Sequence, residues 1–102
     1  LVVLDDRRGV AILRKLLRTW RTDARNHAIQ IVGELGITEL TPELQRLSLR
    51  PRLVDVELLA GSLAALAPSS DGALQGLRAL SRARGEAGQC AREELEKLGV
   101  RP

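Results

Sequence analysis

The chain has 102 residues, of which 44% are hydrophobic and 28% are charged, and its formal net charge is +3. This length allows one small globular domain, and the composition is too apolar for a disordered chain. No apolar run approaches the ~20 residues of a membrane-spanning helix, and a single cysteine, Cys90, excludes an internal disulfide and a cysteine-based zinc site.

Leucine and alanine dominate the apolar residues. The chain contains 20 Leu and 12 Ala, while Trp20 is its only aromatic residue. Leu and Ala favour helices, and the aromatic residues that favour strands are almost absent. The composition therefore predicts an all-α fold, in which small Ala side chains let helices pack closely.

Helix-breaking residues divide the chain into six segments of helical periodicity. The first runs from about Asp6 to Trp20, with Val10, Leu13, Leu17 and Trp20 on one apolar face. We expect Trp20 to be buried with the rest of that face.

The second predicted helix covers Asp23 to Leu35. Thr22 is its expected N-cap, and Gly36 is suited to the left-handed residue that follows a helix. Its apolar face is predicted to comprise Ala24, Ala28, Ile31, Val32 and Leu35.

The third predicted helix begins at the sequence Thr41-Pro42-Glu43. Thr41 is the expected N-cap, Pro42 the first helical residue and Glu43 an acid in the first turn. The helix carries Leu44 and Leu47 and ends before Arg50, because a residue that precedes proline avoids the helical region.

Three further helices complete the pattern. The fourth covers about Leu53 to Leu66, and Pro68 ends it. Residues 69–71 (Ser-Ser-Asp) cap a fifth helix, whose apolar positions are Leu74, Leu77 and Leu80. The sixth runs from Glu86 to Leu98 and is closed by Gly99. The short connections favour antiparallel packing of consecutive helices.

The second, fourth and sixth helices repeat one pattern of residues. Val32, Leu63 and Leu95 are equivalent at shifts of 31 and 32 residues, and so are Ala28, Leu59 and Ala91. A period in this range is typical of stacked helix pairs. We predict three units, at about 5–36, 37–67 and 68–99, in a single repeat domain that is a fragment of a longer chain. A six-helix bundle with accidental repetition is the alternative.

Residues 23–36 resemble the second helix of a HEAT repeat, in the short bacterial form that also occurs in phycobiliprotein lyases. The matching positions are Asp23, Arg25, Ala28, Val32, Gly33, Leu35 and Gly36. The second unit has Val56 in place of the arginine, and the third has Gly88. The resemblance implies a right-handed α-α solenoid of about three antiparallel helix pairs.

No residue pattern predicts a catalytic, cofactor or metal site. His27 is the only histidine and has no second ligand at metal-binding spacing. Helical spacing places Glu86, Glu93 and Glu94 around Cys90, and an acidic environment raises the pKa of a thiol, which opposes nucleophilic reactivity. We therefore predict that the chain is not an enzyme and needs no cofactor.

The resemblance implies that the second helices line a concave docking face. Its exposed positions in register are His27, Gln30 and Glu34, then Leu58, Gly61 and Ala65, then Cys90, Glu93 and Lys97. Polar residues flank a small apolar centre, which suits an apolar anchor from a protein partner. Our candidate protein-binding residues are these positions without Cys90. The alternative is that Leu58 simply turns inward.

Positive charge is concentrated at the start of the chain. Residues 1–25 have a net charge of +4, whereas residues 26–102 have a net charge of −1. Arg14, Arg18 and Arg21 are spaced along one face of the first helix. They are either a solvated face, partners for acids of a preceding repeat, or a stripe for an acidic partner such as a protein or a nucleic acid.

The leading functional prediction is a non-enzymatic scaffold or adaptor in a bacterial cytoplasm, which binds a protein of unknown identity. Nucleic-acid binding is the alternative, and the resemblance alone suggests a third class, a lyase-like bilin chaperone. Residues 1–4 (Leu-Val-Val-Leu) are apolar, so we expect that end to be covered by a preceding repeat, a partner or a second copy, or to be the end of a membrane helix.

Overall fold

Six α-helices and no strand make up the described part of the chain, which confirms the all-α prediction. The computed structural model describes residues 7–50 and 54–101. The helices are α1 (Arg7–Arg18), α2 (Thr22–Leu35), α3 (Thr41–Ser48), α4 (Val56–Leu66), α5 (Asp71–Ser81) and α6 (Glu86–Lys97). Short 3-10 turns, Thr38–Leu40 and Ala67–Ser69, precede α3 and follow α4. The predictions for residues 1–4 and for helix starts at Asp6 and Leu53 lie outside the described residues.

Several helix ends follow the sequence signals. Gly36 (φ 65°) and Gly99 (φ 74°) adopt the left-handed conformation after α2 and α6, where a side chain would be strained. The Ser70 hydroxyl accepts a hydrogen bond from the Ala73 amide, at 3.4 Å, as a side-chain cap of α5.

Two predicted N-caps are wrong. Thr22 is the first residue of α2, and the cap position belongs to Arg21, whose side chain makes no capping hydrogen bond. Thr41 is likewise the first residue of α3, because the preceding 3-10 turn runs directly into the helix and places Leu40 at the cap.

The prediction that Trp20 lies on the buried stripe of α1 is also wrong. The helix ends at Arg18, so the helical register that buries Val10, Leu13 and Leu17 does not continue to residue 20. The Trp20 side chain is 84% exposed.

The buried face of α2 is rotated from the predicted one. Ile29 is fully buried and Ile31 only partly so, while Leu35 is 45% exposed. The cause is the position of α4, which approaches α2 over Gly33: the Ser62 hydroxyl donates a hydrogen bond to the Ile29 carbonyl at 2.7 Å.

Helix contacts alternate along the chain. Helix α4 packs against both α2 and α6, while α3 packs against α5 and also contacts α1. Within the sequential pairs, α1 contacts α2, α3 contacts α4 and α5 contacts α6, and α4 also packs against α5. The Cα radius of gyration, 12.6 Å, is that of a compact chain of this length. No described helix is long and apolar enough to cross a membrane.

The repeated positions are buried in all three segments. Val32, Leu63 and Leu95 have no exposed surface, and the same is true of Ala28, Leu59 and Ala91. The arginine position differs for a local reason: a Cβ at Gly88 would overlap the Ala83 carbonyl, so no larger residue fits there.

Candidate binding surfaces

An open groove runs between α2 and α4. Its volume is about 230 Å³. The residues that line it are Gln30, Gly33, Glu34, Glu57, Leu58, Gly61, Ser62 and Ala65. Five of the eight residues singled out from the sequence as a protein-binding face are therefore brought together: Gln30, Glu34, Leu58, Gly61 and Ala65.

The floor of this groove is set by a close helix contact. A Cβ built on Gly33 would lie 2.5 Å from the Ser62 Oγ and 2.8 Å from its Cα, so only glycine allows α4 to approach this closely. Gly61, which directly precedes Ser62 on α4, has the opposite surroundings, because a Cβ there would have no neighbour within 4 Å. The groove is therefore closed below at Gly33 and open above Gly61.

The rim of the groove is acidic. Glu34 and Glu57 are both exposed, and no lysine or arginine of the described residues lines the groove. The Gln30 side chain donates a hydrogen bond to Glu34 at 3.4 Å. Leu58 is half-buried: it packs against the hydrophobic core and also lines the groove.

The remaining predicted residues lie elsewhere. His27 is exposed on α2 and does not line the α2–α4 groove. Glu93 and Lys97 line a separate shallow depression on α6 together with Glu96.

The predicted arginine stripe is divided by an acidic residue of α3. Glu43 has a side chain only 10% exposed, and Arg18 donates two hydrogen bonds to it, at 3.0 and 2.9 Å. Arg46 lies 3.1 Å and Arg14 4.0 Å from the same carboxylate. We call these four side chains the Glu43 ion cluster. Arg21 lies beyond the end of α1 and is not part of it.

The ion cluster stabilises the charged form of Glu43. The hydrogen bonds from Arg18 lower the pKa of this carboxyl, and the charges of Arg18, Arg46 and Arg14 add to the effect against the opposing effect of burial. The same pairing raises the pKa of Arg18 above its ordinary value. Sequence reasoning missed the role of Glu43, because its partner Arg18 is 25 residues away and no local spacing joins them.

Arg18 and Arg46 of the ion cluster also line, with Arg25 and Arg50, a cavity of about 340 Å³ between the α1–α2 connection and the end of α3. We call it the arginine cleft. Its other lining residues are Leu17, Thr19, Leu47 and Leu49. The HEAT-like pattern included Arg25, but no sequence signal indicated that this side chain would be buried.

A larger cavity of about 690 Å³ adjoins the arginine cleft. The two cavities share Arg18, Thr19 and Arg25, and Trp20 lines the larger one. An aromatic side chain that the sequence analysis expected to be buried therefore lies exposed beside Arg18 and Arg25.

Cys90 is half-buried on α6, and its pKa is raised as the sequence predicted. Burial is the largest cause, followed by the charges of Glu86, Glu57, Glu93 and Asp55. Glu57 and Asp55 belong to the start of α4, which the sequence argument did not include. Within residues 7–50 and 54–101, no group of three His, Cys, Asp or Glu side chains could hold a metal ion.

Comparison with protein-family models, curated proteins and solved structures finds no significant match.

Proposed function

We propose that the chain is a non-enzymatic interaction module that binds a protein segment in the α2–α4 groove. The observation that carries this proposal is the convergence of Gln30 and Glu34 with Leu58, Gly61 and Ala65 around open space. A small apolar centre with a polar rim suits one apolar side chain of a partner. The proposed setting is the bacterial cytoplasm, as a scaffold or adaptor.

The charges of the rim specify the chemistry of that segment. Glu34 and Glu57 flank the apolar centre, and within the part of the chain that the structure describes no basic residue of the groove compensates their charge. The segment we propose therefore carries a leucine-sized side chain between lysines or arginines. Opposite charges at the rim of an interface speed association and fix the register in which the partner binds.

We further infer that the three units stack as a HEAT-like right-handed solenoid of antiparallel helix pairs. Support comes from the α2–α4–α6 succession of contacts and from the equal burial of Val32, Leu63 and Leu95. An experimental structure tests this: one rotation and translation should carry the first unit onto the second and the second onto the third.

The groove is tested by peptide selection against a blocked variant. Displayed peptides are selected on the wild-type chain and then measured on Gly61→Arg, whose new side chain enters the open space. The matched control is Ala11→Arg, which adds the same charge at an exposed position of α1. We expect enriched peptides to carry an apolar residue between basic ones and to lose at least about ten-fold in affinity on Gly61→Arg.

The control variant should bind the selected peptides as the wild type does. Equal binding by Gly61→Arg, or selection of acidic peptides, would exclude this groove as the docking site.

Nucleic-acid binding through the arginine-rich first helix pair is a second candidate function. It is supported by the exposure of Trp20 beside Arg18 and Arg25, since proteins that bind single strands combine basic surfaces with exposed aromatic side chains. The test is the salt dependence of binding to labelled oligonucleotides, which should be steep for a phosphate-directed site.

A further inference from the structure

Arg25 is the unusual residue of the arginine cleft. It is only 7% exposed, and its one side-chain hydrogen bond within the described residues runs from Nη1 to the Thr19 carbonyl at 3.3 Å. Its Nε is buried and has no hydrogen-bond partner there. A buried donor left unpaired is costly, and the cost is greater on a charged group. This guanidinium has donors to spare for an anion.

The rest of the cleft shares this excess of positive charge. Among the described residues, Glu43 is the one carboxylate that pairs with any of the four cleft arginines, and of these four it contacts Arg18 and Arg46. Arg25 and Arg50 have no acidic partner in that part of the chain. A planar guanidinium matches the oxygens of a phosphate with two parallel hydrogen bonds, so an arginine-lined cavity favours phosphate.

Trp20 adds a recognition element for something other than a bare anion. It is 84% exposed and lines the cavity that shares Arg18 and Arg25 with the cleft. An exposed indole offers a flat face on which an unpaired base stacks. A phosphate held by Arg25 and Arg50 and a base on Trp20 would together use both adjoining cavities.

We propose that this site binds single-stranded nucleic acid, with a backbone phosphate in the arginine cleft and a neighbouring base stacked on Trp20. Unpaired strands fit better than a duplex, whose bases are already stacked on one another. The inference rests on the second candidate function and names its site and its ligand. It is independent of the α2–α4 groove.

The chain provides its own probe, because Trp20 is its only aromatic residue. We would titrate the protein with a thymidine oligonucleotide of about a dozen nucleotides, following Trp20 fluorescence and the anisotropy of a labelled strand. Binding should quench Trp20, and the single strand should bind more tightly than the corresponding duplex. An abasic strand of the same length should bind more weakly and leave Trp20 unquenched.

The variants separate the two parts of the site. Trp20→Ala should weaken binding of the single strand about five-fold or more. Arg50→Gln should weaken it to a similar degree and reduce the slope of the salt dependence by about one phosphate contact. The control Arg78→Gln removes an exposed arginine of α5 and should have little effect. Circular dichroism would establish that each variant is folded.

Three outcomes would overturn the proposal, and they have different consequences. If the strand binds but Trp20→Ala and Arg50→Gln behave like Arg78→Gln, nucleic-acid binding stands and this site is wrong. If inorganic phosphate competes as well as the oligonucleotide, the cleft is a small-anion site only. If neither single strand nor duplex binds at low salt, the second candidate function fails as well.

Discussion

The helix pair α1–α2 meets the pair α3–α4 at two contacts that are stabilised by different interactions. On one side, α1 and α3 meet through the Glu43 ion cluster, in which three arginines surround one carboxylate. On the other, α2 and α4 meet where the absence of a side chain at Gly33 admits Ser62. The first contact depends on charge and the second on shape.

This difference explains the character of the two candidate sites. The ion cluster has more positive charge than Glu43 can balance, and the arginine cleft lies beside it. The Gly33 contact involves small residues only, so the neighbouring surface around Gly61 remains open and apolar. The arginine cleft thus lies where the α1–α3 contact has positive charge in excess, and the α2–α4 groove lies where the Gly33 contact leaves open space. Substitutions that disrupt one helix contact at a time should distinguish how much each contact contributes to the free energy of unfolding.

The largest effect is expected from Gly33→Ala. The new Cβ would overlap both the side chain and the Cα of Ser62, and the backbone of α4 cannot move without disturbing its contacts with α6. Overpacking of this kind lowers the free energy of unfolding by about 2–3 kcal/mol. Urea denaturation followed by circular dichroism measures it.

The matched control is the same substitution in the open part of the groove. Gly61→Ala meets no atom within 4 Å and removes a flexible residue from a helix, so it should raise the free energy of unfolding by about 0.5–1 kcal/mol. If both substitutions changed stability in the same direction, the close approach at Gly33 would not be the contact that joins these helices.

A substitution in the Glu43 ion cluster should change the free energy of unfolding less than Gly33→Ala does. Glu43→Gln keeps the shape of the side chain but removes the charge that Arg18 and Arg46 share. We expect the free energy of unfolding to fall by about 1 kcal/mol, because both arginines are half exposed and solvent screens their charges. Glu39→Gln, at an exposed carboxylate of the turn before α3, is the control and should lie within about 0.5 kcal/mol of wild type. Equal losses in the two variants would show that the ion cluster does not stabilise the fold.

Low pH should weaken the Glu43 ion cluster and leave the contact between Gly33 and Ser62 unchanged. The pKa of Glu43 is lowered in the folded chain, so its stabilisation is complete above the ordinary glutamate pKa of about 4.3 and is lost as the pH falls through the lower folded value. The stability difference between wild type and Glu43→Gln should be constant near neutral pH and shrink in acid. The stability difference between wild type and Gly33→Ala should remain the same in acid. Denaturation of both variants and of the wild type at several pH values measures these differences.

The sequence predicts the helices far better than the contacts between them. Glycines that follow the last apolar residue marked the ends of α2 and α6, because only local geometry was involved. Trp20 was misplaced because periodicity does not reveal where a helix stops. The face of α2 was rotated because its direction depends on Ser62, a residue of another helix. The solenoid arrangement stays a prediction.

The residues of the candidate sites were likewise predictable from the sequence only in part. Repeat register brought five residues of the groove together, since equivalent positions on α2 and α4 become neighbours when those helices pack. The Glu43 ion cluster and the buried Arg25 could not be predicted, because each needs residues from separate helices whose mutual position is set by packing.

The smallest effect concerns the next contact along, between α4 and α6. The charge of Glu57 on α4 is one of the causes that raise the pKa of Cys90 on α6, after burial and the charge of Glu86. Among the described residues, no arginine is a cause of this shift. We expect Cys90 to react slowly with a disulfide reagent at mildly alkaline pH, and Glu57→Gln to move the pH–rate profile to lower pH. The change should be small, because burial, the largest cause of the raised pKa, is unaltered in this variant. Glu34→Gln should leave the profile in place, and an unmoved profile in Glu57→Gln would mean that burial alone protects the thiol. A carboxylate near a helix contact thus stabilises the fold where arginines pair with it, as at Glu43. Where no arginine pairs with it, its charge only disfavours the thiolate form of a neighbouring cysteine.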